Sequence, residues 1–458
     1  KLQKEYLLMK KFFSIFLALA LVLAVLPVAG AQAQAPVAFE SSIVVQNLAD
    51  ETGTLSLSFY NLAGNLVDTA EKEIEANASV NFYRGTMPID PGFNGSVVVA
   101  SNVPTAGLSN LVGLKTGGKA MTYGAFSAFT AGSKSVYLPV LMKGNYGYDT
   151  FFYVQNLDSE NANVTITYSD GETKTLEGIK PGAAKAVKQA DETHAGAVFS
   201  AILTSEQNIA VTVAQSGPTL LAYNGFGAGT VMPIMPLFQA NNSGYITGIR
   251  IQNTGTVDTD VTVAYTPGSA GTACTEKRTI KAGESVTYGL AAFGAGQEGS
   301  NCVNEKFIGS AAVSENSEGQ PLVAVVNQLN SKAFKGGSYN AFDAAQGKGK
   351  VIFPLIMDRN HGYFTGWSIV NVGDAAIPAE GVVCVVKGRG IEETFKSPEI
   401  PAGGGWTLTH SNKIAEGFVG SAVCSTTGKV IGVLNQLGSG DTYTGVDALL
   451  VSEGFLVD

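Results

Sequence analysis

The chain has 458 residues, of which 45% are hydrophobic and 15% charged, so it is neither a disordered nor a heptad-repeat protein. Its formal net charge is −9, and it falls to −12 (25 basic and 37 acidic residues) once residues 1–33 are set aside. Such an acidic chain repels phosphate backbones, so we do not expect nucleic acid as a partner. With 55 glycines and abundant Thr, Ser and Val, it favours short strands and turns, which predicts an all-β protein of several domains.

The N-terminus has the pattern of a secretory signal peptide, within residues 1–33. Lys10 and Lys11 precede an apolar run, Phe12–Leu26, and Ala31–Ala33 offers a small-residue cleavage site. Translation is expected to start at Met9, with residues 1–8 as upstream sequence. A permanent membrane anchor is the alternative, but the run is shorter than the ~20 residues that a span needs. We therefore expect a secreted protein, extracellular or at the cell surface, without a transmembrane anchor.

After the signal peptide, one pattern recurs four times, which predicts four tandem domains. Its clearest mark is a short apolar strand ending in Asn, at Asn47, Asn156, Asn253 and Asn371. The spacing of about 100 residues is the size of a small β-sandwich. The predicted domains are residues 34–134, 135–230, 231–348 and 349–458.

Each of these Asn residues is followed by a strand with an apolar residue at every second position, the pattern of a half-buried strand. The four series are Leu55, Leu57, Phe59; Val164, Ile166, Tyr168; Val261, Val263, Tyr265; and Val382, Cys384, Val386. Each repeat closes on a Tyr, whose hydroxyl we expect to bond to backbone, with sugar stacking as the alternative: Tyr123, Tyr223, Tyr339 and Tyr443. About seven strands per ~100 residues predict two-sheet, immunoglobulin-like sandwiches.

Three repeats begin with an apolar segment around a proline, at Pro139, Pro236 and Pro354. Proline lacks the N–H donor of a ladder, so we predict edge or linking strands there. The first repeat lacks this segment, and the apolar stretch Ala448–Asp458 stands where a further repeat would begin. Head-to-tail addition of that stretch to the first repeat of another copy is therefore a hypothesis for assembly.

Together, the Leu-Pro, Val-Gln-Asn and Gly-Ser-Ala-Val strands and the closing motif Tyr223–Phe226 carry a resemblance to a known group. The chain resembles tandem immunoglobulin-like β-sandwich repeats of secreted surface proteins from filamentous bacteria such as the Chloroflexota. The likeness spans nearly the whole chain after the signal peptide, although the first repeat departs from it by lacking the Leu-Pro strand. It implies a surface or extracellular role and no particular activity.

The four cysteines occur in pairs within the last two repeats, Cys274 with Cys302 and Cys384 with Cys424. In an exported protein, a bridge within each repeat is the simplest of the three pairings. The pair Cys384 and Cys424 would then join the two sheets, as immunoglobulin disulfides do. Buried free thiols are the alternative. Zinc is disfavoured, because there is no C-x-x-C and no His at ligand spacing.

No motif in the sequence predicts catalysis or an organic cofactor, so we do not expect an enzyme. His194, His361 and His410 lack a G-x-S-x-G or H-E-x-x-H context and are expected in solvated loops. The acidic loops Asp158–Asn161 and Asp358–Asn360 offer oxygen ligands for calcium, but neither matches the spacing of a calcium loop. Calcium therefore stays an open expectation.

Aromatic residues recur after the Leu-Pro strand, at Tyr148, Tyr245, Tyr363 and Trp367. They indicate either a repeated ligand-facing surface or core residues at the start of a strand, and the second interpretation is favoured. The leading functional hypothesis is a structural or cell-surface protein in an extracellular layer, filament or matrix, whose partners are other copies of itself or cell-surface polymers. A carbohydrate-binding or adhesive protein that binds glycans through these aromatics is the second, and an extracellular hydrolase is the third.

Overall fold

Strands joined by turns and a few single-turn 3-10 helices form the regular structure of the computed structural model. The structure describes residues 36–83, 85–294 and 302–457, so the predicted signal peptide lies outside the described residues. Within these ranges the all-β prediction is confirmed. No helix in the described part of the chain is long and apolar enough to cross a membrane.

The strands fall into four successive segments. The first segment contains β1 (Ala38–Asn47), β2 (Gly53–Asn61), β3 (Leu66–Ile74), β4 (Ser79–Phe82), β5 (Gly95–Ser101), β6 (Thr105–Leu114) and β7 (Ala120–Ser127). The second contains β8 (Ser133–Met142), β9 (Asp149–Asn156), β10 (Ala162–Tyr168), β11 (Thr173–Ile179), β12 (Ala184–Lys188), β13 (Val198–Ser216) and β14 (Leu220–Asn224). A 3-10 turn, Gln189–Asp191, follows β12.

The third segment contains β15 (Pro233–Ala240), β16 (Ile246–Asn253), β17 (Thr259–Ala270), β18 (Cys274–Ile280), β19 (Ser285–Tyr288), β20 (Phe307–Asn316), β21 (Leu322–Asn330), β22 (Lys335–Asn340) and β23 (Phe342–Asp343). The fourth contains β24 (Lys348–Asp358), β25 (Tyr363–Asn371), β26 (Val382–Gly388), β27 (Ile391–Lys396), β28 (Gly405–Thr409), β29 (Phe418–Gly438), β30 (Leu449–Glu453) and β31 (Phe455–Val457). Two further 3-10 turns are Ala344–Gln346 and Asp441–Tyr443.

The same antiparallel pairing recurs in all four segments. The order β4-β1-β6-β7 of the first segment returns as β12-β9-β13-β14, β19-β16-β21-β22 and β28-β25-β29-β30. The order β3-β2-β5 returns as β11-β10-β13-β8, β18-β17-β20-β15 and β27-β26-β29-β24, each with one strand more than the first segment has. The long strands β13 and β29 run through both orders, so they connect the two halves of their segments.

The apolar alternation of the sequence places side chains in the cores as predicted. Leu55, Leu57 and Phe59 of β2 are buried, and so are the matching triplets of β10, β17 and β26. In the first segment they form one cluster with Ile43 and Val45 of β1, so the two sheets face each other across the core. This is the packing of a β-sandwich.

One Asn in each segment is fully buried and fixes a turn. The side-chain amide of Asn47 donates to the carbonyls of Glu51 (2.7 Å) and Ile74 (3.3 Å), and its Oδ1 accepts the N–H of Ala49 (2.9 Å). The other three copies make the corresponding bonds: Asn156, Asn253 and Asn371. The amide thus satisfies carbonyls that the end of a strand leaves without a ladder partner, which explains the recurrence of this residue type.

The proline-containing strands are less peripheral than predicted. β15 lies between β20 and β23, and β24 lies between β29 and β31, so these two are not edge strands. The register shifts near each proline, at Pro139, Pro236 and Pro354. A bulge of this kind accommodates the missing N–H, which is how proline enters a paired strand.

The last strands of the four-stranded orders, β7, β14, β22 and β30, pack against one another in the middle of the molecule, and we call them the central junction. The four strands form a closed ring: β7 packs against β14 and β30, and β22 packs against the same two strands. The four segments therefore surround a common centre within one compact unit.

A ring of hydrogen bonds ties the central junction together at one level. Equivalent positions in β7, β14, β22 and β30 hold Ser127, Asn224, Asn340 and Glu453. Glu453 accepts the hydroxyl of Ser127 (2.9 Å) and the backbone N–H of Asn340 (2.5 Å). The side-chain amide of Asn340 donates to the carbonyl of Asn224 (2.6 Å), and that of Asn224 donates to the carbonyl of Ser127 (2.8 Å). Each segment thus bonds to both of its neighbours.

The C-terminal stretch does not begin a further repeat, so the prediction for Ala448–Asp458 is wrong in this respect. β30 pairs with β29, and β31 pairs with β24, both within the fourth segment. Within this stretch, Leu449–Glu453 form β30, the closing strand of the fourth segment itself. This strand is equivalent in register to Leu220–Asn224 of the second segment. The head-to-tail donor strand of the assembly hypothesis is therefore already paired inside its own chain.

Candidate functional site

Three tight hairpin turns position the tyrosines that the sequence singles out. Asn145 and Tyr148 bond to each other through both backbone N–H groups, and the two residues between them, Tyr146 and Gly147, have positive φ angles of 49° and 82°. The same geometry places the other two tyrosines, Tyr245 and Tyr363. A two-residue turn with both φ angles positive is a type I′ hairpin, which holds the following residue in a fixed direction.

These three tyrosines gather near one carboxylate, and we call Tyr148, Tyr245 and Tyr363 the tyrosine cluster. Burial raises the pKa of each, to about 12 for Tyr245, and the negative charge of Asp447 adds to the rise in all three cases. Their hydroxyls therefore stay neutral at physiological pH and can donate hydrogen bonds. The first segment has Phe39 in place of a tyrosine, eight positions before its buried Asn47.

Asp447 lies in the turn before β30 and is 1% exposed. Its Oδ2 accepts the backbone N–H of Leu220 (2.7 Å) and its Oδ1 accepts that of Gly336 (2.8 Å). Its own N–H donates to the carbonyl of Met121 (3.0 Å), so this residue of the fourth segment bonds to the other three. Burial raises the pKa of Asp447 well above its usual range, while the backbone N–H donors oppose that rise.

Further aromatic and basic groups surround the tyrosine cluster. The ring of Tyr363 lies 4.7 Å from that of Tyr443 and 6.2 Å from that of Tyr123. Lys335 donates to the carbonyl of Val446 (3.3 Å), and burial lowers the pKa of this amine while Asp447 opposes the shift. Tyr148 shares a hydrogen bond of 2.7 Å with Thr219. Partly exposed aromatic faces and neutral hydroxyls of this kind suit the binding of a polar, uncharged molecule.

Trp367 does not belong to this site, so its interpretation as a ligand-facing aromatic is wrong. The side chain is 1% exposed and stacks in the fourth core against Phe353, with ring centroids 6.0 Å apart. It follows Tyr363 by four positions in β25, so both side chains lie on the same face, and Trp367 is buried because it lies at the middle of the strand whereas Tyr363 begins it. The favoured interpretation from sequence, a core residue, holds for Trp367, while Tyr245 and Tyr363 are half-buried and pack against core clusters.

Both disulfides occur within their segments, Cys274 with Cys302 and Cys384 with Cys424. The second does not join the two sheets, however, because Cys384 and Cys424 face each other on the paired strands β26 and β29. Both are fully buried in the fourth core, so this bridge staples adjacent strands from the inside.

Two of the three histidines are buried, contrary to the expectation of solvated loops. His410 is fully buried beside Trp367, its Nδ1 lies 2.8 Å from the hydroxyl of Thr365, and burial lowers its pKa to about 4. The side chain of His194 is 1% exposed and lies between Asp170 (2.9 Å) and a glutamine. His361, in the turn between β24 and β25, is the exposed histidine.

The acidic loops use their carboxylates for the chain's own backbone. Asp358 is fully buried and accepts N–H groups from residues 412, 413 and 414 together with the side chain of Arg359. Asp158 accepts the backbone N–H and the side-chain amide of Asn208. No group of three His, Cys, Asp or Glu residues suited to a metal occurs among the described residues.

Sequence reasoning missed Asp447 and misplaced two of the closing tyrosines. Tyr223 and Tyr339 occupy equivalent positions and donate to the carbonyls of Val140 (2.7 Å) and Leu237 (2.6 Å), so the expected bond to backbone is confirmed for them. Tyr123 is equivalent instead to a residue three positions before Tyr223. Tyr443 lies in a 3-10 turn outside the strand, but its hydroxyl also donates to a backbone carbonyl, that of His361 (2.8 Å). The only signal for Asp447 was an acid within an apolar stretch.

No protein-family model and no curated protein matches this chain. Among solved structures, the chain is similar to "Crystal Structure of Thermotoga maritima 1070", with 15% sequence identity and a TM-score of 0.18. The match covers 21% of this chain and 94% of that chain. A likeness at this score says nothing about the fold of the whole chain or about its function.

Proposed function

We propose that this protein is a secreted structural protein of the cell surface and forms part of an extracellular layer, filament or matrix. Its four segments act as immunoglobulin-like domains, with the boundaries predicted from sequence, held together as one block. The protein works through its shape and stability and not through catalysis. The likeness of its sequence motifs to secreted surface repeats of filamentous bacteria is consistent with this role.

The observation that carries the proposal is the closed ring of the central junction. Tandem domains on flexible linkers would leave the closing strands exposed, whereas here β7, β14, β22 and β30 cover one another. Hydroxyls of one segment also reach carbonyls of a neighbouring segment: Ser96 donates to Gly182 (2.6 Å), and Ser368 donates to Pro236 (2.8 Å). Together with two disulfides, these contacts favour a rigid building block that withstands conditions outside the cell.

A second candidate function is adhesion through carbohydrate binding, and the tyrosine cluster favours it. Sugars are bound by aromatic faces together with neutral hydrogen-bonding groups, and Tyr148, Tyr245 and Tyr363 each offer both within the influence of Asp447. The hydroxyl of Tyr363 is buried beside the side chain of Tyr123, so a ligand reaches it only by displacing its neighbours.

The test is negative-stain electron microscopy of the mature protein from residue 34, with size-exclusion chromatography of the same sample. Filaments or sheets support the structural role. Single compact particles would contradict it and direct the work to a glycan array. In that case Tyr245→Phe and Tyr363→Phe, with Tyr83→Phe as an exposed control outside the cluster, separate binding by hydroxyls from non-specific adhesion.

A further inference from the structure

The sheet β3-β2-β5 of the first segment has an open edge. In each of the other three segments, a further strand covers the equivalent edge. β5 pairs with β2 and with no other strand of the described structure. The equivalent strands β13, β20 and β29 each have a partner on that side, namely β8, β15 and β24. In the third and fourth segments a further strand, β23 or β31, extends the sheet again. The first segment therefore ends one or two strands early.

The side chains of β5 reflect this missing neighbour. Val98, at the middle of the strand, is 38% exposed, whereas the residues in register with it on the covered strands, Ile202, Ala312 and Val423, are half-buried. From Val97 onwards, the main-chain N–H and C=O groups along this edge form a row that another strand can pair with, while Ser96 at its start donates its hydroxyl to the carbonyl of Gly182 in the second segment (2.6 Å).

Natural sheet edges are normally protected by charged residues or proline, and β5 has neither. The outer strands on the opposite side of these sheets, β3, β11, β18 and β27, each carry two or more charged residues. By contrast, no charged residue occurs between Asp90 and Lys115, a stretch that includes all of β5. The open edge of β5 therefore lacks the protection that the chain gives to its other outer strands.

We propose that the open edge of β5 binds β5 of a second copy of this chain, in antiparallel orientation, to form a continuous six-stranded sheet across two molecules. The sequence of β5, Gly-Ser-Val-Val-Val-Ala-Ser, is nearly the same in both directions about Val98. A twofold axis through Val98 then places valine opposite valine, and serine opposite alanine, on both sides of the centre.

Charge also selects a second copy as the occupant. Two molecules that each carry a strong negative charge repel each other wherever acidic surfaces meet. The uncharged strip around β5 is a place where two copies can approach without like charges facing each other. Pairing also removes the exposed main-chain groups of both molecules at once, since the interface is the same patch on each.

This inference deepens the proposed function by naming one partner of the protein, and its test does not depend on that function. A protein that forms layers through other surfaces would keep the structural role and lose the β5 interface. A protein that pairs through β5 but forms no higher assembly would keep this interface and lose the layer.

The experiment is sedimentation velocity of the mature protein from residue 34 over a range of concentrations, with two matched variants. Val98→Lys places like charges opposite each other at the twofold axis and should weaken the dimer by roughly tenfold or more. Val67→Lys is the control, since this valine is 48% exposed on the charged strand β3, and it should leave the dimer unchanged. Circular dichroism checks that both variants keep their strand content.

A second measurement tests the register. All cysteines of the described residues are in disulfides, so Val98→Cys adds a single free thiol. Residues directly opposite in an antiparallel pair are close enough for a disulfide, so this variant should form a covalent dimer under mild oxidation, whereas Val67→Cys should not. A wild-type protein that is monomeric at all concentrations, an unaffected dimer in Val98→Lys, or no cross-link at position 98 would overturn the proposal. A secreted protein that still carries residues before 34 and is monomeric would also overturn the proposed dimer. The alternative would then be that the chain's own N-terminal residues occupy the edge of β5.

Discussion

The first and fourth segments share one strand order but differ in how completely it is closed. The fourth core contains 16 buried apolar residues, a disulfide and two extra strands, β24 and β31. The first core contains seven such residues and no disulfide, and β5 ends its sheet. Strand topology therefore does not fix how much surface a segment buries. The buried surface of a segment depends instead on the strands that cover its sheet edges, because burial increases with the number of layers and strands in contact.

The largest effect is expected where the fourth segment holds the other three. Asp447→Ala leaves the N–H groups of Leu220 and Gly336 buried without an acceptor, at about 1 to 3 kcal/mol for each. We expect a loss of several kcal/mol in the free energy of unfolding, measured by urea titration. Asp441→Ala, in the exposed turn nearby, is the control and should change stability by less than ~0.5 kcal/mol. Equal urea midpoints for the two variants would show that Asp447 does not hold the segments together.

Removing the disulfide of the fourth segment makes it more like the first. The bridge between Cys384 and Cys424 spans 40 residues, and losing it should cost about 3 to 4 kcal/mol in the chain-entropy model. The measurement is thermal unfolding of the double variant Cys384→Ala, Cys424→Ala under non-reducing conditions. The matched variant without Cys274 and Cys302, which spans 28 residues, should lose slightly less. An unchanged melting temperature in both variants would contradict the assigned role of these bridges.

The fourth core should also respond to pH in a way that the first cannot. Burial holds the pKa of His410 at about 4 in the folded protein, against an ordinary value of 6.5. Because the unfolded chain takes up a proton first, the stability from the neutral histidine is present above pH 6.5 and is lost as the pH falls towards 4. The expected loss is roughly 3 kcal/mol at acid pH.

The pH effect is measured as the difference between the wild type and His410→Gln in urea titrations from pH 7.5 to 4. The variant should lack this part of the pH dependence, while His361→Gln, at an exposed position, should keep it. If His410→Gln and the wild type lost stability in parallel over this range, the histidine would not be the group responsible.

The smallest expected effect concerns the closing hydroxyl, which the first segment lacks. Tyr223 donates to the carbonyl of Val140, and the equivalent position of the first segment holds Phe126. Tyr223→Phe therefore reproduces the first segment within the second and should cost about 1 kcal/mol. Tyr443→Phe removes a similar bond at an exposed turn and should cost less, as measured by thermal unfolding of both variants. A larger loss for Tyr443→Phe would reverse the proposed assignment of the two hydroxyls.

The sequence by itself determined the local features of this protein. Period-two alternation identified the buried face of β2 and its equivalents, and the recurrence of Asn identified the turn that Asn47 fixes. The pairing of cysteines within segments was also predicted. These features can be predicted because each depends on residue types at short and regular spacing, where one face of a strand or one turn decides the choice of side chain.

Only the tertiary structure decided how the four segments meet. Asp447 bonds to backbone N–H groups of Leu220 and Gly336, which lie more than 100 residues away and carry no residue-specific signal. The burial of Trp367, the register of Tyr123 and the closed ring of β7, β14, β22 and β30 likewise depend on contacts between distant strands. Every residue other than proline has a backbone N–H group that can form such a bond. The sequence alone therefore cannot specify which segments close around the centre and which sheet edge stays open.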